Sequence, residues 1–258
     1  MASLFLQRVV PGAFTGAPPQ RVSLLGGARA TALLLTDLPK LRVSLTDSPA
    51  GQRLHAHFSH RMWGIRHSCL AQGVLVLPTE QGSYLQGRSR HALRTGINKA
   101  QAAGITCRQL DDKEERRAAA WSLRTRMPWM WQRADERVCP PGDAWWAAFV
   151  AGGEPVAMAQ MTIDREWALL RTFVSTHRAS RYLLHTELVG WLARTNVRYL
   201  ATHSPMAPML EPALQYWQRL LGYRIFNLTL SRMPLPAESE LAGEAHAREG
   251  LPALVRVG

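Results

Sequence analysis

Cysteine is scarce in this 258-residue chain, which has Cys69, Cys107 and Cys139 and no others. The three are far apart, and none has the Cys-x-x-Cys or Cys/His spacing of a zinc ligand set, so we expect no metal site. An odd, sparse cysteine count is typical of a reducing compartment. We therefore expect a cytoplasmic protein.

Long apolar runs are also lacking. No segment approaches the roughly 20 apolar residues that a membrane span requires, and the run Ala30–Leu35 is far too short. Residues 1–36 contain arginine and no acid, as organelle transit peptides do, but prolines at 11, 18 and 19 interrupt any amphipathic helix. We expect an ordinary N-terminal region and no membrane span.

Acidic residues are rare in the first part of the chain. Of the net charge of +12, residues 1–108 contribute +10, with 13 Lys and Arg against 3 Asp and Glu. Lysine is rare too, at positions 40, 99 and 113. Two explanations of the arginine preference stay open, a GC-rich genome and a phosphate-binding surface. The genome explanation does not account for the asymmetry.

Residues 21–77 contain short apolar runs that predict strands at 22–25, 30–35, 41–45 and 74–77. Between them, Gln52–His67 is rich in Arg and His. The alternation His55-Ala56-His57 would place two imidazoles on one strand face, but no neighbouring carboxylate could orient them as metal ligands. We interpret this segment as a polar, charged surface.

Residues 84–142 begin with helical periodicity. Tyr84–Gly104 predicts a helix with Arg90 and Arg94 on its polar side, and Ile105–Leu110 predicts a strand. Asp111 or Asp112 can cap a second helix that runs to about residue 127. Residues 128–142 are a predicted loop.

The remaining elements alternate in a distinct order. Gly152-Gly153 predicts a hairpin between two strands, and residues 233–258 are a predicted mobile tail. The predicted order is β-β-β-α-β-α-β, which implies antiparallel hairpins followed by a parallel crossover in a mixed sheet. The segments are 143–151, 154–163 and 167–174 (strands), 179–195 (helix), 197–202 (strand), 209–221 (helix) and 223–230 (strand).

This order resembles the GNAT superfamily of acyltransferases. Val150–Ala157 is similar to the family's hairpin, Leu169–Leu192 to its central strand and donor-binding helix, and Leu221-Gly222-Tyr223 to the turn before its last strand. The arginine-bearing helix at Tyr84–Gly104 resembles the Fem-type branch, which includes aminoacyl-tRNA-dependent transferases. The resemblance covers about 150 residues.

The resemblance implies an α/β (α+β) fold, with a GNAT-like mixed β-sheet flanked by helices and an N-terminal strand-rich extension. We expect a GNAT-like acyltransferase domain at 84–232, preceded by a basic region at 1–83. That region is either a degenerate first half of a Fem-like arrangement or an unrelated appendage.

The resemblance also implies a donor site where two strands splay apart, with the donor phosphates at the start of the following helix. The family's loop R/Q-x-x-G-x-G/A is matched at Arg178, whereas Arg181 and Leu183 occupy its two glycine positions. This departure favours the Fem-type branch, and phosphate contact and plain solvation stay open for Arg178 and Arg181. The expected donor-binding residues are Thr172, Phe173, Val174, Arg178, Arg181 and Tyr182.

The candidate catalytic residues are His203, at the end of a strand, and Tyr216, in the next helix. Many acetyl-CoA users carry a tyrosine acid where this chain has Gln218, so a structural role for Tyr216 stays open. The candidate substrate or phosphate contacts are Arg90, Arg94, Trp129 and Trp131.

Two functions follow as hypotheses. The first is an N-acyltransferase that moves an acyl or aminoacyl group from acyl-CoA (acetyl-CoA) or aminoacyl-tRNA, without a metal, to a small-molecule or peptide amine. The missing glycines and the basic N-terminal part favour tRNA. The second is a catalytically inactive GNAT-like module that binds nucleic acid. The enzyme should have an open cleft beside Phe173–Ser175. In a nucleic-acid-binding module, side chains could fill that cleft.

Overall fold

The structure is a computed structural model, and it describes residues 36–60, 69–79, 81–127, 142–203 and 212–232. The strands predicted at 22–25 and 30–35, the loop with Trp129 and Trp131, and the tail from residue 233 lie outside the described residues.

The described chain forms eight strands and five α-helices. In chain order they are β1 (Lys40–Leu45), α1 (Pro49–Ser59), β2 (Gln72–Val76), α2 (His91–Ala102), β3 (Thr106–Gln109), α3 (Lys113–Arg126), β4 (Asp143–Phe149), β5 (Pro155–Asp164), β6 (Trp167–Ser175), α4 (Arg178–Leu192), β7 (Tyr199–Thr202), α5 (Pro212–Leu221) and β8 (Arg224–Arg232).

The strands form one mixed sheet in the order β1-β8-β2-β7-β6-β5-β4-β3. Strands β6 and β7 are parallel and joined by the crossover helix α4, and β1 is parallel to β8. The other neighbours are antiparallel. The predicted mixed sheet flanked by helices, with its β-β-β-α-β-α-β order, is therefore confirmed.

The sheet is continuous across residue 83. Strand β2 lies between β7 and β8, and β1 pairs with β8 at the sheet edge. The two early strands thus belong to the same sheet as the strands of the predicted acyltransferase domain. The proposed division of the chain at this residue stays a prediction.

Two predicted elements differ from the structure. The helix expected from Tyr84 begins at His91, because Gly87, at φ +90°, separates two short 3₁₀ turns that precede it. The segment interpreted as polar surface contains helix α1. It begins where the Ser48 side chain accepts a hydrogen bond from the Gly51 amide, with Pro49 at a first-turn position.

Helices cover both faces of the sheet. Helices α2, α4 and α5 bury the largest apolar cluster, which includes Leu93, Leu184 and Trp217. On the opposite face, α3 and α1 cover two separate clusters. Polar residues of β5, Gln160 and Thr162, continue the same face beyond the α3 cluster, so this side of the sheet offers polar groups beside α1.

Candidate functional site

Strands β6 and β7 diverge part of the way along β6. They pair from Trp167 opposite Tyr199 to Leu170 opposite Thr202, where β7 ends. Strand β6 continues to Ser175, and Arg171–Ser175 pairs with no strand on its β7 side among the described residues. We call the space between Arg171–Ser175 and the end of β7 the wedge. The predicted donor segment Thr172–Val174 lies on its edge.

The start of α4 borders the wedge. Arg178 is exposed, and the guanidinium carbon of Arg181 lies 5.3 Å from the ring centroid of Tyr182 and 6.0 Å from that of Trp217. Within the described chain, the buried Nε atom of Arg181 has no hydrogen-bond partner. Tyr182 belongs to the core, where a Cβ added at Gly96 would lie 2.5 Å from its ring.

On the face covered by α1, two guanidinium groups approach one buried carboxylate. Arg53 Nη2 lies 3.0 Å and Arg171 Nη1 4.0 Å from the oxygens of Asp143, whose side chain is fully buried. Asp143 also accepts hydrogen bonds from Thr162 Oγ1 (2.7 Å) and Gln160 Nε2 (3.0 Å). Two guanidinium groups thus lie beside the Asp143 carboxylate at the α1 side of the wedge.

The same face brings two histidines together. The ring centroids of His57, on α1, and His203, which directly follows β7, are 4.9 Å apart. His203 and Arg171 are the first residues beyond the last paired positions of their strands, so they flank the mouth of the wedge. Arg53, His57 and Asp143 were not predicted from the sequence, although the Ser48-Pro49 start signal could have revealed α1.

Helix α5 lies on the opposite side of the wedge. The ring centroids of Trp217 and Phe173 are 5.4 Å apart, and Gln218, the residue after Trp217, is buried. Tyr216, predicted as a catalytic residue, is 52% exposed. Its buried neighbours on α5 are therefore the residues that face the sheet, and the predicted role of Tyr216 stays a prediction.

A series of buried hydrogen bonds runs through His185. His185 Nδ1 is 3.3 Å from Tyr84 Oη, and His185 Nε2 is 3.0 Å from Tyr223 Oη. Complete burial, helped by the charge of Arg90, lowers the pKa of His185 to about 3. Burial also raises the pKa values of both tyrosines. All three groups are therefore neutral at pH 7.

The predicted substrate contacts Arg90 and Arg94 hydrogen-bond to backbone carbonyls. Arg90 Nη1 donates to Leu220 O at 2.6 Å, and Arg94 Nη1 donates to Leu85 O at 2.6 Å and Gly87 O at 2.9 Å. These bonds hold the chain before α2 and the end of α5. Contacts of the two arginines with a substrate stay a prediction.

A surface depression of about 820 Å³ lies at the other end of the parallel strands, lined by residues such as Arg165, Glu166 and Asn196. These residues precede β6 and β7, whereas ligands of open α/β sheets bind at the carboxyl ends of the strands. We therefore place the candidate site in the wedge.

Within the ranges that the structure describes, no group of three or more His, Cys, Asp or Glu side chains could hold a metal ion. Among those same residues, no helix has the length and apolar character needed to cross a membrane.

The solved structures that match this chain have low sequence identity to it. L-PGS from Bacillus licheniformis is 12% identical with a TM-score of 0.47, and the match covers 60% of this chain and 58% of that one. The C-terminal domain of a putative lysylphosphatidylglycerol synthetase from Agrobacterium fabrum is 12% identical with a TM-score of 0.46 and the same coverages, 60% and 58%. A GCN5-related N-acetyltransferase from Kribbella flavida is 15% identical with a TM-score of 0.35, covering 60% and 53%.

The match thus spans less than two thirds of each of these three chains. No protein-family model matches the chain, and no curated protein matches it.

Proposed function

We propose that this protein is an N-acyltransferase that moves an acyl or aminoacyl group from acyl-CoA or aminoacyl-tRNA to an amine, with its reaction centre in the wedge. The observation that carries the proposal is the edge of β6 at Arg171–Ser175, which pairs with no strand on its β7 side among the described residues and lies directly before the start of α4. An unpaired strand edge presents backbone N–H and C=O groups. An extended ligand can hydrogen-bond to these groups in the same way as an additional strand. The first N–H groups of the helix favour an anion.

The donor lies on the α4 and α5 side of the wedge. Thr172–Val174 supply backbone hydrogen bonds to its extended part, and Arg178 and Arg181 contact its phosphates. The buried Arg181 Nε and Trp217 Nε1 atoms support this assignment, because each is a donor without a partner in the described chain.

The amine acceptor approaches from the α1 side. Its nitrogen attacks the carbonyl carbon of the donor, a C–N bond forms, and the bond from that carbon to the leaving sulfur or oxygen breaks. His203 takes the proton that the amine loses, and His57 positions the His203 ring. The positive charge of Arg53 and Arg171 beside Asp143 suits an acceptor that carries an anionic group.

Binding of the two donor classes tests the proposal. Native mass spectrometry and thermal denaturation are measured with acetyl-CoA, with a charged tRNA pool and with the same pool uncharged. We expect a complex and a raised Tm with acetyl-CoA or with the charged pool, and a smaller shift with uncharged tRNA. If neither donor forms a complex or raises the Tm, the enzyme proposal is wrong.

A second candidate function is a catalytically silent nucleic-acid-binding module. The observation that favours it is the contact between the Phe173 and Trp217 rings, which narrows the wedge on its α5 side. Such a module would bind charged and uncharged tRNA equally and acetyl-CoA not at all. The experiment above therefore separates the two functions.

A further inference from the structure

The side chain of Gln218 is buried, and its carbonyl oxygen lacks a hydrogen-bond partner within the described chain. The residue is 3% exposed, and its Oε1 atom has no hydrogen-bond partner among the described residues. A buried polar atom without a partner costs stability. Native proteins retain few such atoms, and a functional role, a water or an ion is the usual explanation for each.

Gln72 presents a second such oxygen. The residue is fully buried, and its Nε2 atom donates to the backbone oxygen of Thr202 and lies 3.2 Å from Thr202 Oγ1. Because these bonds fix the amide with its nitrogen toward Thr202, Oε1 is the group left over, and it too is without a partner in the described chain.

Gln72 contacts Thr202, and Thr202 is the last residue of β7 paired with β6, at the border of the wedge. A Cβ added at Gly73 would lie 2.8 Å from Gln218 Oε1 and 3.1 Å from Thr202 Oγ1. These two oxygens therefore lie close together beside Gly73, where a side chain would collide with the Gln218 amide. Trp217, next to Gln218 on α5, contacts Phe173 across the wedge.

We propose that the carbonyl oxygens of Gln72 and Gln218, with the Thr202 hydroxyl, bind the N–H groups of an amine in the wedge. This inference rests on the proposed function and specifies its substrate. Amide oxygens accept hydrogen bonds and cannot donate them, so the group that they bind must be a donor, such as an ammonium with three N–H bonds. The acetyl group of acetyl-CoA carries no N–H group and cannot make these hydrogen bonds.

Two sources can supply the amine: the α-amino group of an aminoacyl donor, which lies on the same side as Gln218, and the acceptor amine, which would reach these oxygens from the α1 side past Thr202. Gln218 also stands where the resemblance places a tyrosine acid in acetyl-CoA users, and an amide cannot protonate a leaving thiolate. A hydrogen-bond acceptor at this position thus replaces proton donation with recognition of an N–H group.

The first test compares Gln218→Met with Gln101→Met, which makes the same change on the exposed face of α2. Methionine keeps the volume and removes the unsatisfied amide, so we expect Gln218→Met to raise the Tm of the ligand-free protein by several degrees. Gln101→Met should leave it within about one degree. A lower Tm for Gln218→Met overturns the inference, because it shows that the fold itself satisfies the amide.

The second test identifies the source of the amine. Dissociation constants are measured for the charged tRNA pool and for the same pool with its α-amino groups acetylated. If the aminoacyl group is the source, acetylation and Gln218→Met each weaken binding of the charged pool at least tenfold. If the acceptor is the source, binding is unchanged and Gln218→Met raises the KM for O-phosphoethanolamine, an anionic amine used as acceptor with acetyl-CoA, at least fivefold.

A variant that changes neither quantity overturns the inference and shows that the oxygens bind water alone. Absence of any donor binding by the wild-type protein refutes the proposed function instead. The Tm comparison between the two methionine variants still decides whether the fold satisfies the buried amide in that case.

Discussion

The imidazole of His57 lies against that of His203, with ring centroids 4.9 Å apart, so helix α1 meets the end of β7 at the wedge. One turn earlier on α1, Arg53 reaches Asp143 of β4. A single helix therefore contacts strands on both sides of β6. The proposed acceptor side of the wedge depends on the position of this helix.

Replacement of His203 should slow transfer without weakening donor binding. Loss of a positioned proton acceptor costs roughly 10²–10⁴-fold in rate, so we expect His203→Gln to lower kcat at least 100-fold. The dissociation constant of the donor that binds should change less than twofold, because His203 lies on the α1 side. Steady-state kinetics with O-phosphoethanolamine as acceptor and calorimetric titration of the donor measure the two quantities.

The control for that variant is His91→Gln, an exposed histidine at the start of α2. It should retain wild-type kcat. If His203→Gln also keeps its rate within twofold, His203 is not the proton acceptor.

Arg181 should contribute to donor affinity through charge. Arg181→Met keeps an aliphatic chain over the Trp217 ring and removes the guanidinium, so we expect about tenfold weaker binding of acetyl-CoA or charged tRNA. The loss should shrink as salt rises, because screening weakens the phosphate contact. Arg117→Met, at an exposed ion pair with Glu114, is the matched control. Equal affinities of the two variants at low salt would contradict this role.

The order of elements in residues 84–232 could be predicted because its signals are local. The glycine pair at 152–153 marks the hairpin, with Gly153 at φ +78°, and the Asp112 side chain accepts from the Glu115 amide at the start of α3. Helix α1 was not predicted because the alternation His55-Ala56-His57 between Leu54 and Phe58 suggests a strand and hides their one-turn apolar spacing.

The site could be predicted only in part, because it depends on contacts between distant segments. His203 and the segment Thr172–Val174 follow from the chain order of β6 and β7. The insertion of β2 between β7 and β8 brings Gln72 to Thr202, and no periodicity in the sequence indicates that pairing. Arg53 and His57 reach the wedge through the packing of α1 on the sheet, which the sequence does not reveal either.

Substitution of Gly51 should displace α1. A Cβ at this position would lie 2.2 Å from the backbone oxygen of Thr46 and 2.8 Å from Asp164 Oδ2. Asp164 is itself buried and accepts hydrogen bonds from the Thr46 amide (2.8 Å) and Ser48 Oγ (2.9 Å). We expect Gly51→Ala to lower the free energy of unfolding by about 1–3 kcal/mol, measured by urea denaturation, and to reduce kcat.

Gly152→Ala is the matched control, because an added Cβ there meets nothing within 4 Å. It should leave the free energy of unfolding within about 0.5 kcal/mol of the wild-type value. A Gly51→Ala protein as stable as this control would show that α1 can shift without cost.

His185 should make stability depend on pH. Tyr84 Oη donates to Leu221 O at 3.0 Å, so its oxygen accepts from His185 Nδ1–H, and His185 Nε2 accepts from Tyr223 Oη–H. The neutral ring completes this chain, and burial lowers its pKa from 6.5 to about 3. The unfolded state therefore binds a proton that the folded state excludes between these values. The stabilisation from His185 is complete above pH 6.5 and is lost as the pH falls toward 3.

His185→Gln removes this titration while keeping a donor and an acceptor. We expect the variant to be less stable than the wild type at pH 7, and the difference to shrink by up to about 1.4 kcal/mol per pH unit below pH 6. Urea denaturation at pH 7, 6, 5 and 4 measures it, with His91→Gln as the exposed control. Parallel pH profiles of wild type and His185→Gln would show that the buried imidazole titrates normally, because the carboxylates of both proteins are identical and cancel in the comparison.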